Sequence, residues 1–400
     1  MSENGSIMVI NAGSSSIKFA VFGTDIAPRL TGRLESLGSA PRLSAKSAEG
    51  RVVADEDWSA DHASGVHVLI QRLMNWLEDH LGAEAVVAIG HRVAIGGLEH
   101  SGPALVTPEL LVKLKALVPL APLHQPRNLE PIESLGASHP HVPQVVCFDT
   151  AFHQTLPRVA QMYALPKALR DAGAHRYGFH GLSYEYIASR LPDIDQRGAT
   201  DRTIVAHLGS GASMCALRSG RSIATTMGFS PLSGLVMGTR PGDLDPGLMI
   251  WLIRECGMSV DQIEATLYHD AGLKGVSGIS GDMRQLLASD TPEASEAVEL
   301  FAYKAATEVG ALTAALGGLD TLVFTAGIGE RSPEVRAMIC ARCKWLGLEV
   351  SMARNQAGSS TISTPDSRVA VHVIATNEEL MVARHTIDLV LKRMLKESVQ

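Results

Sequence analysis

Two short segments about half a chain apart follow one plan, and any fold has to accommodate both. Residues 7–22 read as a strand, a turn and a second strand, with Ile7, Val9, Phe19, Val21 and Phe22 flanking Asn11-Ala-Gly-Ser-Ser-Ser16. Residues 203–217 repeat it: an apolar strand, His207, Gly209-Ser-Gly-Ala-Ser213, then another apolar strand. Gly13 aligns with Gly209 and Ser14 with Ser210. The repeat predicts two related halves, each opening with a hairpin whose turn faces a phosphate, although the rest of each half does not visibly repeat.

The stretches between the hairpins fit that division. At 400 residues, 46% of them hydrophobic and 19% charged, the chain can bury the cores of two domains of comparable size. Residues 64–81 have helical spacing through Leu69, Ile70, Leu73, Trp76, Leu77 and Leu81, and 297–316 form another helix, ended by Gly317-Gly318. Strands at 85–89, 143–149 and 321–325 alternate with helices, which predicts layered α/β architecture in both halves. The most polar break, 193–201, precedes the second hairpin, and a final helix at 378–395 could pack on either half.

Several function classes are disfavoured. A formal net charge of -7 argues against nonspecific nucleic-acid binding, so an anionic ligand must be held by specific arginines, lysines and backbone amides. No stretch approaches the roughly 18 apolar residues of a membrane span, and the first 22 residues lack the basic leader and unbroken apolar run of a signal peptide. Five cysteines, an odd number, fit a reducing compartment, and the cytoplasm is the expectation. Cys340 and Cys343 form a lone C-x-x-C without a second ligand pair, read as structural. The absence of H-E-x-x-H and G-x-S-x-G spacing disfavours zinc and serine hydrolases. Neither hairpin carries the G-x-G-x-x-G of an NAD-dependent oxidoreductase.

A phosphate site needs backbone N–H donors in a tight turn, small residues for close approach, and a cation. Asn11-Ala-Gly-Ser-Ser-Ser-Ile-Lys18 offers all three without the G-x-x-x-x-G-K-S/T spacing of a Walker loop. Read alone, it is as readily a solvated hairpin turn, and Gly209–Ser213 shares that ambiguity. Thr325-Ala-Gly-Ile-Gly-Glu-Arg331 follows a strand and precedes the helix start Ser332-Pro-Glu. A structural turn there needs one glycine, whereas Gly327 and Gly329 together let a nucleotide lie against the backbone. Arg92, Arg240, Asp149, Asp282 and Arg284 stand at strand ends or in Gly-rich turns. Each alone fits a structural ion pair; together they suit gripping a carboxylate or phosphate and holding Mg²⁺. His91, His124, His153, His180 and His207 lie near the same turns, with His180 between Gly178 and Gly181.

Longer motifs carry a resemblance. Val9-Ile-Asn-Ala-Gly-Ser-Ser-Ser-Ile-Lys-Phe19, Phe148-Asp-Thr-Ala-Phe-His153, Arg176-Tyr-Gly-Phe-His-Gly-Leu-Ser183 and Met237-Gly-Thr-Arg-Pro-Gly-Asp-Leu-Asp-Pro246 resemble the acetate kinase family. So do Ser280-Gly-Asp-Met-Arg284, Thr325-Ala-Gly-Ile-Gly-Glu330 and Thr376-Asn-Glu-Glu379, in family order from about residue 7 to 385. The resemblance implies α/β architecture with duplicated actin-like, sugar kinase-like ATPase domains flanking a central nucleotide cleft. The expected boundaries are 1–150 plus 386–400 for one domain and 151–385 for the other. It also implies a homodimer that moves the ATP γ-phosphoryl group to acetate, giving acetyl phosphate and ADP, with Mg²⁺ or Mn²⁺ and with neither nucleic-acid nor membrane partners.

Carried over by motif, the resemblance assigns Asn11 and Glu378, or the neighbouring Glu379, to the metal. It puts Ser14, Ser16 and Lys18 by the phosphates, Arg92 and Arg240 on the carboxylate and the transferring phosphoryl group, and Asp149 beside them. His180 would stabilise the transition state, and His207, Gly209, Ser210, Gly211 and Ser213 would line the nucleotide phosphates. Asp282, Met283, Arg284, Gly327, Ile328 and Gly329 would surround the nucleoside. Ala94, Leu123, Phe179 and Pro231 would wall the pocket for the acetate methyl.

The chain departs from the family's usual pattern at Ala94 for valine, Ile95 for histidine, Gln125 and Ser210 for asparagines, and Arg331 for asparagine. None removes a proposed catalytic group. Ala94 widens the expected pocket, so propionate kinase or a broader short-chain acyl kinase is the alternative. A nucleotide-binding switch of the same superfamily would have lost the carboxylate arginines, and both are present.

Overall fold

The hairpin that opens each half is built into a sheet. The structure, a computed structural model, describes residues 5–398 except 14, 15, 38, 39, 59–64, 83, 84 and 123. It divides into two compact units, Met1–Phe152 with Asn377–Gln400, and His153–Thr376.

In the first unit β1 (Gly5–Ala12) and β2 (Ser16–Gly23) pair antiparallel, with Asn11 opposite Lys18. β3 (Pro28–Glu35), β4 (Arg42–Ser47) and β5 (Val52–Asp57) continue the meander on one side. On the other side of β1, β6 (Ala85–Val93) and β8 (Gln144–Phe148) run parallel, and β7 (Ala104–Leu105) closes the edge antiparallel. The order is β5-β4-β3-β2-β1-β6-β8-β7. β1 is buried almost throughout, whereas β3 alternates, as expected for strands covered on two faces and on one.

Helix α1 (Gly65–Leu81) turns Val66, Leu69, Ile70, Leu73, Met74 and Leu77 into a core shared with Phe19, Leu34, Leu43 and Trp58. Helix α2 (Gln125–Ser138) packs on α1, β1 and β6. The last helix, Glu378–Ser398, lies against β1, β6 and β8. A Cβ at Gly90 of β6 would stand 2.3 Å from Thr386 Oγ1 and 2.6 Å from Val382 Cγ1, so a glycine is what lets this helix seat so closely. The helix therefore groups with the first unit from its start, where the sequence expectation divides it at 386.

In the second unit β9 (Arg202–Leu208), β10 (Ala212–Arg218), β11 (Arg221–Thr225), β12 (Thr321–Thr325) and β13 (Ala370–Val373) form a sheet of order β11-β10-β9-β12-β13. Strands 9, 10 and 11 are antiparallel neighbours, while β12 runs parallel to β9 and β13. This is the order and direction of β3-β2-β1-β6-β8 over again. The duplication visible in sequence only at the hairpins is thus written into the strand topology.

The unit's helices include α3 (Gly181–Ile194), α4 (Pro246–Arg254), α5 (Pro292–Leu316) and α6 (Ala326–Arg331). Helix α5 begins ahead of the residue 297 expected from spacing, because Thr291 caps it by accepting from the Ala294 N–H and Pro292 suits the first turn. Cys340 and Cys343 are buried, and burial pushes both thiols up, the second to about 11. Among the described residues no helix is long and apolar enough to cross a membrane.

Candidate functional site

The first unit gathers charge at the ends of β1, β6 and β8. Arg92, the penultimate residue of β6, donates from Nε to Asp149 Oδ1 at 3.0 Å and from Nη2 to Asp149 Oδ2 at 2.5 Å. Its Nη1 donates to Asn11 Oδ1 at 3.1 Å, and its Nε lies 3.7 Å from Glu378 Oε2. Asp149, directly after β8, is 1% exposed and its N–H is held by the Val93 carbonyl at 3.1 Å. Burial disfavours the Arg92 charge, but Asp149 and Glu378 outweigh it and hold the guanidinium above its ordinary range. Burial first, then Asp149 and Glu379, push the Glu378 carboxyl up to about 7, against the pull of Arg92 and Lys18.

Asn11, Lys18, Arg92, Asp149 and Glu378, expected together from motifs scattered over the chain, therefore meet in one unit. Ser16 begins β2, and its carbonyl accepts from the Gly13 N–H at 2.8 Å. Ser14 and Leu123 lie outside the described residues. Ala94 is buried just beyond Arg92.

The second unit gathers histidines. His180 caps α3 in a left-handed conformation, φ 58°, which costs a non-glycine residue free energy and fixes where its ring projects. Its Nδ1 lies 2.8 Å from the Ser213 hydroxyl, which the Tyr184 hydroxyl also reaches at 2.5 Å. The ring stacks on His207, centroids 4.1 Å apart and planes 17° apart. Ser183 donates to Thr376 Oγ1 at 2.9 Å, so at 2.8 Å it receives the proton of His207 Nδ1.

Arg240 donates from Nη1 to the Pro231 carbonyl at 2.8 Å. A Cβ at Gly211 would stand 2.7 Å from Arg240 Nη2 and 3.4 Å from His180 Nε2, so the glycine opens the space where these two groups converge. The β9–β10 turn is closed by the Gly209 N–H on the Gly211 carbonyl at 3.0 Å, and the Ser210 carbonyl accepts from Gly238 at 2.9 Å. Phe179 is buried, and its carbonyl accepts from His153 Nε2 at 3.0 Å.

Gly327, Ile328 and Gly329 fall inside the short helix α6, not in an open turn as the sequence suggests. Glu330 explains the tight winding: its Oε1 accepts from the N–H groups of Ala326, which has φ 64°, and of Thr376, at 2.8 and 3.1 Å. Asp282 and Arg284 form an exposed pair at 2.6 Å around the cap of the helix Met283–Leu287, whose Met283 is buried. Sequence reasoning missed Tyr184, Ser183, Thr376 and Glu330. Tyr184 and Ser183 sit within one turn of His180, and that proximity is the signal that could have found them.

A sequence model of the Acetokinase family matches residues 6–384. An acetate kinase of Rhodopseudomonas palustris is 50% identical over 391 residues, covering 95% of this chain and 97% of that protein. One from Rhizobium meliloti is 49% identical over 387 residues, covering 96% and 98%. Among solved structures, a propionate kinase from Francisella tularensis superposes with a TM-score of 0.88 at 36% identity, covering 96% of this chain and 99% of that one. The acetate kinase of Porphyromonas gingivalis gives 0.85 at 33% identity, covering 96% and 100%. With matches across nearly its whole length and the duplicated sheet topology these structures share, the chain belongs to the acetokinase family and has its duplicated actin-like ATPase fold.

Proposed function

We propose that the chain transfers the γ-phosphoryl group of ATP to acetate in one in-line displacement, giving acetyl phosphate and ADP. The observation that carries this reading is the buried fork of Arg92 on Asp149, with Asn11 and Glu378 beside it. Membership of the family makes the chain a phosphotransferase that uses ATP and a divalent metal and has acetate as acceptor. An acetate carboxylate is already ionised at neutral pH and needs no strong base to attack phosphorus. Catalysis then rests on alignment and on offsetting charge in a loose transition state.

Arg92 and Arg240 supply fixed positive charge for the acceptor carboxylate and the transferring group. Asp149 has both oxygens engaged by Arg92, which supports an orienting role and not that of a phosphorylated nucleophile. His180, held through Nδ1, presents Nε2 beside Arg240 and donates to an equatorial phosphoryl oxygen. Ser14, Ser16, Lys18, His207, Gly209, Ser210, Gly211 and Ser213 attend the phosphates; Asp282, Met283, Arg284, Gly327, Ile328 and Gly329 attend the nucleoside.

The donors fit a hard divalent cation: an amide oxygen and a carboxyl whose charge burial beside Asp149 and Glu379 disfavours. Asn11 and Glu378 would hold Mg²⁺, which when bound neutralises phosphate charge. Helix α4 supports a homodimer, since none of its residues is buried and Ile250, Trp251 and Ile253 are about half exposed. The reading places the enzyme in the cytoplasm, where ATP is available. Propionate is the second acceptor, favoured by the small Ala94 that the family motif puts at the pocket wall. ATP-dependent acyl phosphate formation across formate, acetate, propionate and butyrate tests the reading. Turnover with acetate supports it, and ADP formation indifferent to every carboxylate would overturn it.

A further inference from the structure

Just beyond Arg92 the chain leaves β6 and runs buried without a strand partner, through Ala94, Ile95 and Gly96. Buried peptide groups must find acceptors and donors elsewhere. Here each successive N–H is taken by a different side chain. Ala94 N–H donates to Asn128 Oδ1 at 2.9 Å, Ile95 N–H to Gln125 Oε1 at 3.4 Å, and Gly96 N–H to Thr150 Oγ1 at 3.2 Å. Gln125 returns the contact, donating from Nε2 to the Ile95 carbonyl at 3.0 Å and to the Leu114 carbonyl at 3.3 Å.

Asn128 reaches further, its Nδ2 donating to the Ala12 carbonyl at 2.7 Å. An N–H on one side and a carbonyl on the other leave only one orientation for its amide. Gln125 and Asn128 are 0% and 3% exposed and sit three residues apart on one face of α2. A closed circuit results: Arg92 to the Asn11 side chain, Asn11 to Ala12 along the chain, Ala12 to Asn128, Asn128 to Ala94, and back along the chain to Arg92.

We propose that Asn128, seconded by Gln125, is a positioning residue that fixes the acceptor pocket wall at Ala94–Ile95 against the Asn11 turn, and so sets which acyl chain length the enzyme accepts. The proposal rests on the reading of Ala94 as pocket wall. Neither amide touches substrate; both act through the backbone. Releasing the Ala94 peptide lets the wall retreat, which admits a longer chain and loosens the grip on acetate. Discrimination by one methylene in an apolar pocket spans roughly 10–200-fold, so a relaxed wall has a measurable range in which to act.

The test compares the parent, Asn128→Ala and Gln125→Ala in kcat/KM for acetate and for propionate, with KM for ATP measured in parallel. Asn128→Asp, which keeps the acceptor for Ala94 but opposes a carboxylate oxygen to the Ala12 carbonyl, is the second variant should Asn128→Ala not fold. The expected result is a propionate-to-acetate ratio raised by about 5-fold or more, with KM for ATP within about 2-fold of the parent. Both acceptors falling by the same factor, as a purely structural role requires, would overturn the proposal. The parent controls separate the two claims: loss of all acetate turnover there contradicts the function, whereas an active parent with unshifted variant ratios contradicts the clamp alone.

Discussion

Arg92 and Asp149 meet as a two-pronged pair, Nε on Oδ1 at 3.0 Å and Nη2 on Oδ2 at 2.5 Å, with the carboxylate 1% exposed. The pair joins the ends of two parallel neighbours, β6 and β8. It leaves Nη1 to reach Asn11 at the end of β1, so one guanidinium ties three adjacent strands.

Removing Arg92 should therefore cost both stability and turnover, and the two can be separated. Arg92→Ala leaves the Asp149 carboxylate buried without its partner, an effect on the order of 3–5 kcal/mol. Adding Asp149→Asn should recover much of that stability while kcat stays depressed by roughly 10²-fold or more. Urea unfolding and steady-state kinetics on the single and double variants check this. Recovery of activity together with stability would make Arg92 structural only.

The contacts around His180 give a graded expectation. His180→Ala removes a transition-state donor and should lower kcat by roughly 10²–10³-fold with a smaller change in KM. Tyr184→Phe leaves the ring in place but removes one partner of the Ser213 hydroxyl that orients it, so a loss of about 10-fold in kcat is expected. Equal losses in the two variants would contradict a merely orienting role for Tyr184.

Acid should destabilise the fold through two buried histidines. Burial lowers His91 and His153 from 6.5 to about 4, with Arg176 adding to the effect at His153. Gln144 Oε1 accepts from His91 Nε2–H at 2.7 Å, and Nδ1 has no partner among the described residues, so a second proton there would be unsatisfied. The unfolded chain takes up protons below pH 6.5 that the folded one refuses until about 4. Stability is therefore fully present above the upper value and falls as pH drops through the window, by about 3 kcal/mol per histidine. Urea unfolding from pH 7 to 4 should show a shallower decline for His91→Gln than for the parent. Parallel curves would contradict the assignment.

At Ala94 the backbone is held by Asn128, so added side-chain volume cannot escape by shifting the chain. Propionate should serve nearly as well as acetate in the parent. Ala94→Val should then lower the propionate-to-acetate ratio of kcat/KM by about 10-fold. A parent that strongly rejects propionate, or an unchanged ratio in the variant, would remove Ala94 from the pocket.

How much of this was legible in the sequence depended on range. The hairpins announced themselves because a strand, a Gly-Ser turn and a strand are contiguous signals, and the helix α1 stripe follows from local spacing alone. The repeated order β3-β2-β1-β6-β8 and β11-β10-β9-β12-β13 was not readable, since parallel pairings join segments separated by long crossovers. Within the site, charged residues stood out against apolar strands. Asn128 and Glu330 did not, because an amide or carboxylate that serves buried backbone groups looks like any surface polar residue until its partners are located. The Thr325–Arg331 segment misled for a related reason: two glycines suggest an open turn, but the Glu330 carboxylate winds it into a helix by capturing the Ala326 N–H.

The most direct test of the account follows the γ-phosphoryl group itself. The chain is incubated with γ-labelled ATP and a divalent metal, with and without acetate, and ADP, acetyl phosphate and protein-bound label are counted over time. Direct transfer from a site in which Arg92 engages both oxygens of Asp149 requires ADP and acetyl phosphate in equal amounts when acetate is present, and no label on the protein when it is withheld. ADP formed without acetyl phosphate, or label left on the protein in the absence of acetate, would contradict it.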